Sequence, residues 1–180
     1  KQSNADGTLH ADEEKWLLRR ATGGFGIVTT CATFVTQEGK AWTGQLGLSS
    51  DRHIEGMTRL ATHLKAAGAL PLVQIFHGGL RADAQISGEE AVSADSSNET
   101  PMRRAATEVD LYRIIKGFAA AAKRAQQAGM GGVEIHGAHG YLLTQFLSTV
   151  DNKRTDSWGG SLDNRAKLIR RDTQAVRAAT

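Results

Sequence analysis

A chain of 180 residues is long enough for one domain with a real core, and its 22 lysines and arginines against 19 aspartates and glutamates leave a net charge of only +3. The basic residues are scattered, with no run interleaved with aromatics, which excludes the usual footprint of a nucleic-acid binder. The single cysteine, Cys31, excludes an internal disulfide. No stretch approaches the roughly 18 apolar residues of a membrane span, and the polar start Lys1 to Gly7 does not read as a secretion signal, so a soluble, cytoplasmic protein without a membrane partner is expected.

Asp12 to Ala21 (DEEKWLLRRA) sets acids in a first helical turn and Arg19 and Arg20 in a last one, complementing the helix dipole, and Gly23-Gly24 ends it. Phe25 to Val35 is rich in β-branched and aromatic residues without helical period, which predicts a parallel strand buried on both faces. Over His53 to Ala67 the apolar residues Ile54, Met57, Leu60, Ala61 and Leu64 line one helical face, with Gly68 placed as a C-cap. Leu70 to Phe76 (LPLVQIF) reads as a second strand. From His77 to Ala106 the composition turns polar and aperiodic, which predicts a long active-site loop.

Thr107 with Asp110 makes a capping-box start, and Leu111, Ile114, Ile115, Phe118, Ala119 and Ala122 carry a helix to near Gly129. Val133 to His136 is a short strand. Gly137 to Gly160 is irregular with about one helical turn, and Ser161 to Ala179 is helical again. Strands alternating with helices imply right-handed crossovers and a parallel sheet, hence an α/β fold, either barrel or doubly wound. No GxGxxG follows a strand, which removes the main support for a doubly wound dinucleotide domain. The expected fold is a (β/α)8 TIM barrel. A whole barrel needs about 250 residues and three strands are legible here, so residues 1–180 are expected to be a single domain forming about half of one.

Catalytic groups in such barrels gather at the C-terminal ends of the strands. That rule selects Ala32 and Thr33, Gln74 and His77, and His136, His139 and Tyr141. His136 and His139 flank Gly137-Ala138, small residues that let a ligand approach while two imidazoles offer hydrogen bonds to a carbonyl or nitro oxygen. On spacing alone a metal pair and two structural histidines remain alternatives, the former as a zinc site completed by His77. Tyr141 can act as a general acid or simply pack. Gln74 offers an amide donor and acceptor to a heterocycle such as flavin, or is a satisfied buried glutamine. The turn-rich stretch Asn152 to Arg165 (NKRTDSWGGSLDNR) reads as a structural loop.

Taken together, Gly132 to Leu143 (GVEIHGAHGYLL), Gln145 to Ser148 (QFLS) and Asn152 to Arg165 closely resemble the old yellow enzyme family of flavin oxidoreductases, with collinear similarity through Arg20 to Gly24, the strand to Val35, Gly39 and Val73 to Gly79. The resemblance implies an FMN-bearing barrel that takes hydride from NAD(P)H and reduces an electron-poor C=C bond by a ping-pong cycle. By position, His136 and His139 correspond to the pair binding the substrate's activating oxygen. Tyr141 corresponds to the proton donor, Gln74 to the flavin pyrimidine contact, and Ala32 to the strand-end residue whose backbone lies by the flavin. No metal is implied. His-x-x-His, in place of the His-x-x-Asn of some relatives, corresponds to a branch favouring ketones, imides and similar acceptors. In extent, the first strand and the last four, with the phosphate site, fall outside the chain. That leaves three further readings: an inactive or assembly-dependent half-barrel, a homo-oligomer or partner of a missing half, and a dienoyl-CoA reductase or amine dehydrogenase relative.

Overall fold

In the computed structural model, which describes residues 2–95 and 103–180, helices and parallel strands alternate along the chain. Helix α1 (Ala11–Thr22) starts on His10, whose side chain accepts from the Asp12 amide, and carries Asp12, Glu13 and Glu14 in its first turn and Arg19 and Arg20 in its last. Strands β1 (Ile27–Thr29) and β2 (Thr33–Phe34) follow, then α2 (Ile54–Ala66) and β3 (Leu70–Phe76). Both β1 and β2 pair with β3 in parallel, on the same side.

The strand expected as one piece from Phe25 to Val35 is therefore broken. Thr29 lies opposite Leu72 and Thr33 opposite Ile75, so four residue steps on one strand face three on the other, which is a bulge of one extra residue. Side-chain oxygens take over from the ladder there: the Thr30 and Thr33 hydroxyls both donate to the Cys31 carbonyl, and the Gln74 amide donates to Thr30 Oγ1 at 3.2 Å. Burial on both faces is also corrected, because Phe25 is 63% and Ile27 57% exposed. In register, Ile27 faces Leu70, and Leu70 is itself 45% exposed, so one face of this part of the sheet is open.

The expected loop after β3 contains more order than its composition suggests. A 3-10 turn over Gly79–Arg81 leads into α3 (Ala84–Ser87), and β4 (Ala91–Ser93) pairs with β5 (Arg103–Ala105) in a separate two-stranded sheet; residues 96–102 of that loop lie outside the described residues. The structural reading of Asn152 to Arg165 holds. The Arg154 guanidinium donates to the carbonyls of Ala94 and Ala106, tethering β4 and β5 from outside, while the Asn152 amide donates to the carbonyls of Phe146 and Trp158.

Helix α4 (Glu108–Gln127) has the expected capping box between Thr107 and Asp110. Arg104 donates to both Asp110 oxygens, and this bond above all holds the Asp110 carboxyl well below the usual carboxylate range despite burial. Strand β6 (Gly132–Ile135) joins the other side of β3, with Gln74 opposite Glu134 and Ile75 opposite Ile135. Short α5 (Leu142–Leu147) and α6 (Leu162–Arg165) precede α7 (Lys167–Ala179), which packs along α4. The expected last helix is thus split at Ala166.

Val73 and Ile75 of β3 are fully buried in one apolar cluster with Leu60 and Leu64 of α2 and Ile114 and Phe118 of α4. Each such side chain contributes roughly 1.5–3 kcal/mol through burial, and truncating Phe118 to Ala would cost about 3–5 kcal/mol. Alternation along β3 then turns Leu70, Leu72 and Gln74 to the opposite face. The cluster side fixes the sheet on its helices and leaves the other side for chemistry.

Candidate active site

The site is assembled where β3 and β6 end. Gln74 and Glu134 sit side by side in register on the inner face, and Gln74 Nε2 donates to Glu134 Oε1 at 2.6 Å. Two residues on, the same alternation brings Phe76 and His136 to that face, with ring centroids 5.5 Å apart. Tyr141 closes the group, 4.5 Å from Phe76 and 5.0 Å from His136 between ring centroids, all edge-on. His139 lies 5.1 Å from His136.

The chain turns sharply to bring His139 there. Tyr141 N donates to the Ala138 carbonyl at 3.3 Å, and the two central residues of this turn, His139 and Gly140, have φ of 60° and 71°. Two successive left-handed residues define a mirror-image turn, and His139 is the one non-glycine residue among those described that adopts positive φ. Backbone strain of this kind concentrates at functional sites.

The hydrogen bonds specify the proton on His136. Its Nδ1 accepts from the Ala138 amide at 3.4 Å, which leaves the proton on Nε2, and that nitrogen faces His139 Nδ1 at 3.4 Å. Burial first, and the neighbouring His139 second, hold His136 below its ordinary value, so it is neutral at pH 7 with one N–H to donate. His136 is 8% exposed and His139 is open to solvent. The pair thus presents ring N–H groups at the rim of the sheet.

Gln74 fits the expected flavin contact in its chemistry. The pyrimidine edge of an isoalloxazine carries an N–H donor between two carbonyl acceptors, and one amide side chain can meet both kinds. Here the donor end is engaged by Glu134. Ala32 lies within the bulge between β1 and β2, and its carbonyl accepts from the buried Gln45 amide at 3.0 Å, which fixes that peptide on the strand neighbouring Gln74. Thr33, also selected from sequence, is fully buried with its hydroxyl donating to the Cys31 carbonyl, so it belongs to the strand break.

His77 does not join the histidine pair. Its Nδ1 accepts from the Gly79 amide at 3.0 Å and its Nε2 faces Glu38 Oε1 at 3.8 Å, an ion-pair distance too long for a hydrogen bond. Burial alone would raise the Glu38 carboxyl, but His77 and the Arg113 guanidinium that donates to it bring it down to about 2. The zinc reading that recruited His77 loses its third ligand. Among the described residues no group of three or more His, Cys, Asp or Glu could hold a metal ion.

Sequence reading missed Glu134, Phe76 and Gln145. The first two carry a usable signal, since they stand two residues from His136 and Gln74 and share their faces. A cleft of about 680 Å³ between α4 and residues 35–52, lined by Glu38, Arg113 and Lys116 among others, contains none of the predicted site residues. The inner face of the sheet, open in this chain, is where the chemistry-bearing groups converge.

Known proteins supply the family and the fold. Residues 1–180 match the profile of the NADH:flavin oxidoreductase / NADH oxidase family. The chain is 41% identical over 166 residues to the probable NADH-dependent flavin oxidoreductase YqiG of Bacillus subtilis, covering 91% of this chain and 44% of that protein. It is 36% identical over 174 residues to an NADPH dehydrogenase of Bacillus licheniformis, covering 96% of this chain and 51% of the relative. The crystal structure of Old Yellow Enzyme from Pichia superposes with a TM-score of 0.93 at 27% identity, over 99% of this chain and 50% of that one. The chain spans about half the length of the curated relatives it matches, and its parallel strands and helices are about half of a (β/α)8 barrel. Among the described residues no helix is long and apolar enough to cross a membrane. The chain belongs to the NADH:flavin oxidoreductase / NADH oxidase family, the old yellow enzyme family of barrels that use FMN with NAD(P)H as reductant.

Proposed function

We propose that the protein to which these residues belong reduces activated C=C bonds of α,β-unsaturated carbonyl compounds. Residues 1–180 then form part of a single FMN-binding barrel domain. The observation that carries the reading is the cluster at the end of β6 in which His139 and Tyr141 each lie about 5 Å from His136, beside the face that bears Gln74. His136 and His139 donate N–H groups to the substrate's carbonyl oxygen, which draws electron density from the β carbon. FMN, when bound, supplies the hydride for that carbon. The Tyr141 hydroxyl gives its proton to the α carbon, completing the addition of H⁻ and H⁺ across the double bond. Gln74 holds the pyrimidine edge of the flavin, and the backbone of Ala32 flanks it. NAD(P)H and the alkene take turns at the same histidines, which makes the kinetics ping-pong.

The test uses the full-length protein loaded with FMN and assayed with NADPH and 2-cyclohexenone. Tyr141→Phe is expected to slow reoxidation of the reduced flavin by the enone at least about 100-fold, the usual worth of a general acid. A protein that acquires no flavin absorption band, or that turns over a dienoyl thioester or an amine in preference to the enone, would overturn the reading. The isolated 180 residues are expected not to reduce the enone, because the inner face needs the rest of a barrel or a second chain to enclose it.

A further inference from the structure

We infer that Gln145 is a positioning residue for Tyr141, an inference that rests on the proton-donor reading above. Gln145 lies on α5, one turn beyond Tyr141, and is 1% exposed. Both ends of its amide are used. Oε1 accepts from the Leu80 amide at 2.9 Å, and Nε2 donates to the Gly140 carbonyl at 2.7 Å and, at 3.4 Å, to the Gly78 carbonyl. One buried side chain thereby staples the loop after β3 to the loop after β6.

The Gly140 carbonyl belongs to the peptide whose other end is Tyr141 N. That N–H closes the 138–141 turn through a bond of 3.3 Å, longer than the mode for N–H···O bonds. The turn also holds a histidine in the left-handed region, where its Cβ crowds the following carbonyl. A long turn bond is a poor restraint on a strained backbone, and the 2.7 Å bond from Gln145 is the stronger one on that peptide. Thr144, from the same short helix, adds bonds to the carbonyls of Ala138 and Tyr141. Room for the amide is provided at Gly79: with φ of +58°, a Cβ there would stand 2.3 Å from Gln145 Oε1. Without the amide, the Leu80 N–H and the Gly140 carbonyl lose this partner, the Gly140–Tyr141 peptide falls back on the long turn bond, and the phenol shifts with it. A displacement of about 1 Å in a reacting group can cost about 100-fold in rate.

The experiment compares half-reactions of the full-length, FMN-loaded protein by stopped flow: bleaching of the flavin by NADPH, and its reoxidation by 2-cyclohexenone. Gln145→Met is expected to slow reoxidation about 10- to 100-fold, with bleaching and FMN content within about threefold of wild type. Added to Tyr141→Phe, it is expected to slow reoxidation by less than about twofold more, because the group it positions is already gone. Gln145→Glu keeps the size and can donate to Gly140 only when protonated. Its reoxidation rate relative to wild type is therefore expected to rise as the pH falls from about 8.5 to about 5.5, and this arm decides the matter if Gln145→Met does not retain FMN. A purely structural staple would give the opposite results: multiplicative effects in the double variant, equal slowing of both half-reactions, or a pH-independent ratio for Gln145→Glu. Any of these overturns the inference. If Tyr141→Phe slows reoxidation and Gln145→Met does not, only the positioning role falls; if Tyr141→Phe has no effect, the proton-donor reading falls and the inference with it.

Discussion

The thiol of Cys31 donates to Glu13 Oε1 at 2.7 Å and is pushed up to about 12, by burial first and then by the Glu13 carboxylate. The thiolate is the nucleophile, so at about pH 8 the native protein is expected to react with iodoacetamide at less than about a hundredth of the rate of the urea-unfolded chain. Glu13→Gln, which keeps the packing and removes the charge, is expected to raise that rate; an unchanged rate would show that burial alone protects the thiol. At His139 the conflict lies between backbone and side chain. Asparagine tolerates the left-handed region better than histidine and still offers a donor, so His139→Asn is expected to stabilise the fold by about 0.5–1 kcal/mol in urea unfolding. A loss of stability would mean that the 3.4 Å contact with His136 outweighs the strain. His136, His139 and Tyr141 were legible because their spacing is local. Period-two spacing puts Glu134 on the face of His136, but its partner Gln74 is 60 residues away, as Leu80 is 65 from Gln145, and no local pattern announces which residues the register will pair.

At the scale of elements, α1, α2, α4 and β3 were read from the sequence nearly to their ends, because caps and periodicity are written in neighbouring residues. The break between β1 and β2 was not, since a run of threonines and β-branched residues looks the same whether its hydroxyls face a partner or its own backbone. Helix α7 carries a different misfit. Asp172 occupies the buried stripe with Leu168 and Val176 and is fully buried, and neither carboxylate oxygen has a hydrogen-bond partner among the described residues. Burial raises its carboxyl well above the ordinary 3.8, and no charged neighbour offsets it. Below about pH 4 both folded and unfolded chains carry the proton and the group is neutral in its effect. As pH rises past that value the unfolded chain ionises while the folded one keeps its proton, so stability falls toward neutral pH. Asp172→Leu is expected to gain roughly 1–3 kcal/mol at pH 7 and much less at pH 4. Glu38 and Asp110, whose carboxyls are lowered, act in the opposite sense: their stabilisation is complete above the ordinary carboxylate range and is lost as pH falls below it. Urea midpoints of wild type and Asp172→Leu across pH 4–8 would separate the two, and a gain independent of pH would refute the ionisation argument.

For the molecule as a whole, the decisive feature is the asymmetry of its sheet. The helix side is sealed by α2 and α4, with Val73 and Ile75 fully buried, while Ile27 and Leu70 are 57% and 45% exposed on the inner side. In a closed barrel those inward positions are filled by layers of side chains from the other strands. Among the described residues the inner layer has no counterpart, and β6 on one side and β1 on the other have no strand partner beyond β3, while β2 is bridged to Gly47; the β1 and β6 edges are templates for association. Contiguous apolar surface joined to an open parallel edge is covered by a second molecule more readily than by water. The 180-residue chain expressed alone is therefore expected to sediment as dimers or larger species at micromolar concentration. Ile27→Glu with Leu70→Glu places like charges at facing positions of β1 and β3 and is expected to return it toward the monomer, since the charges oppose burial without touching the helix side. Placed in the full-length protein, the same pair would put two carboxylates inside the barrel, and loss of folding there together with solubility in the half is the combination that the asymmetry requires. A wild-type chain that sediments as a monomer would show instead that the inner face is tolerated in water and that enclosure of the site does not drive assembly.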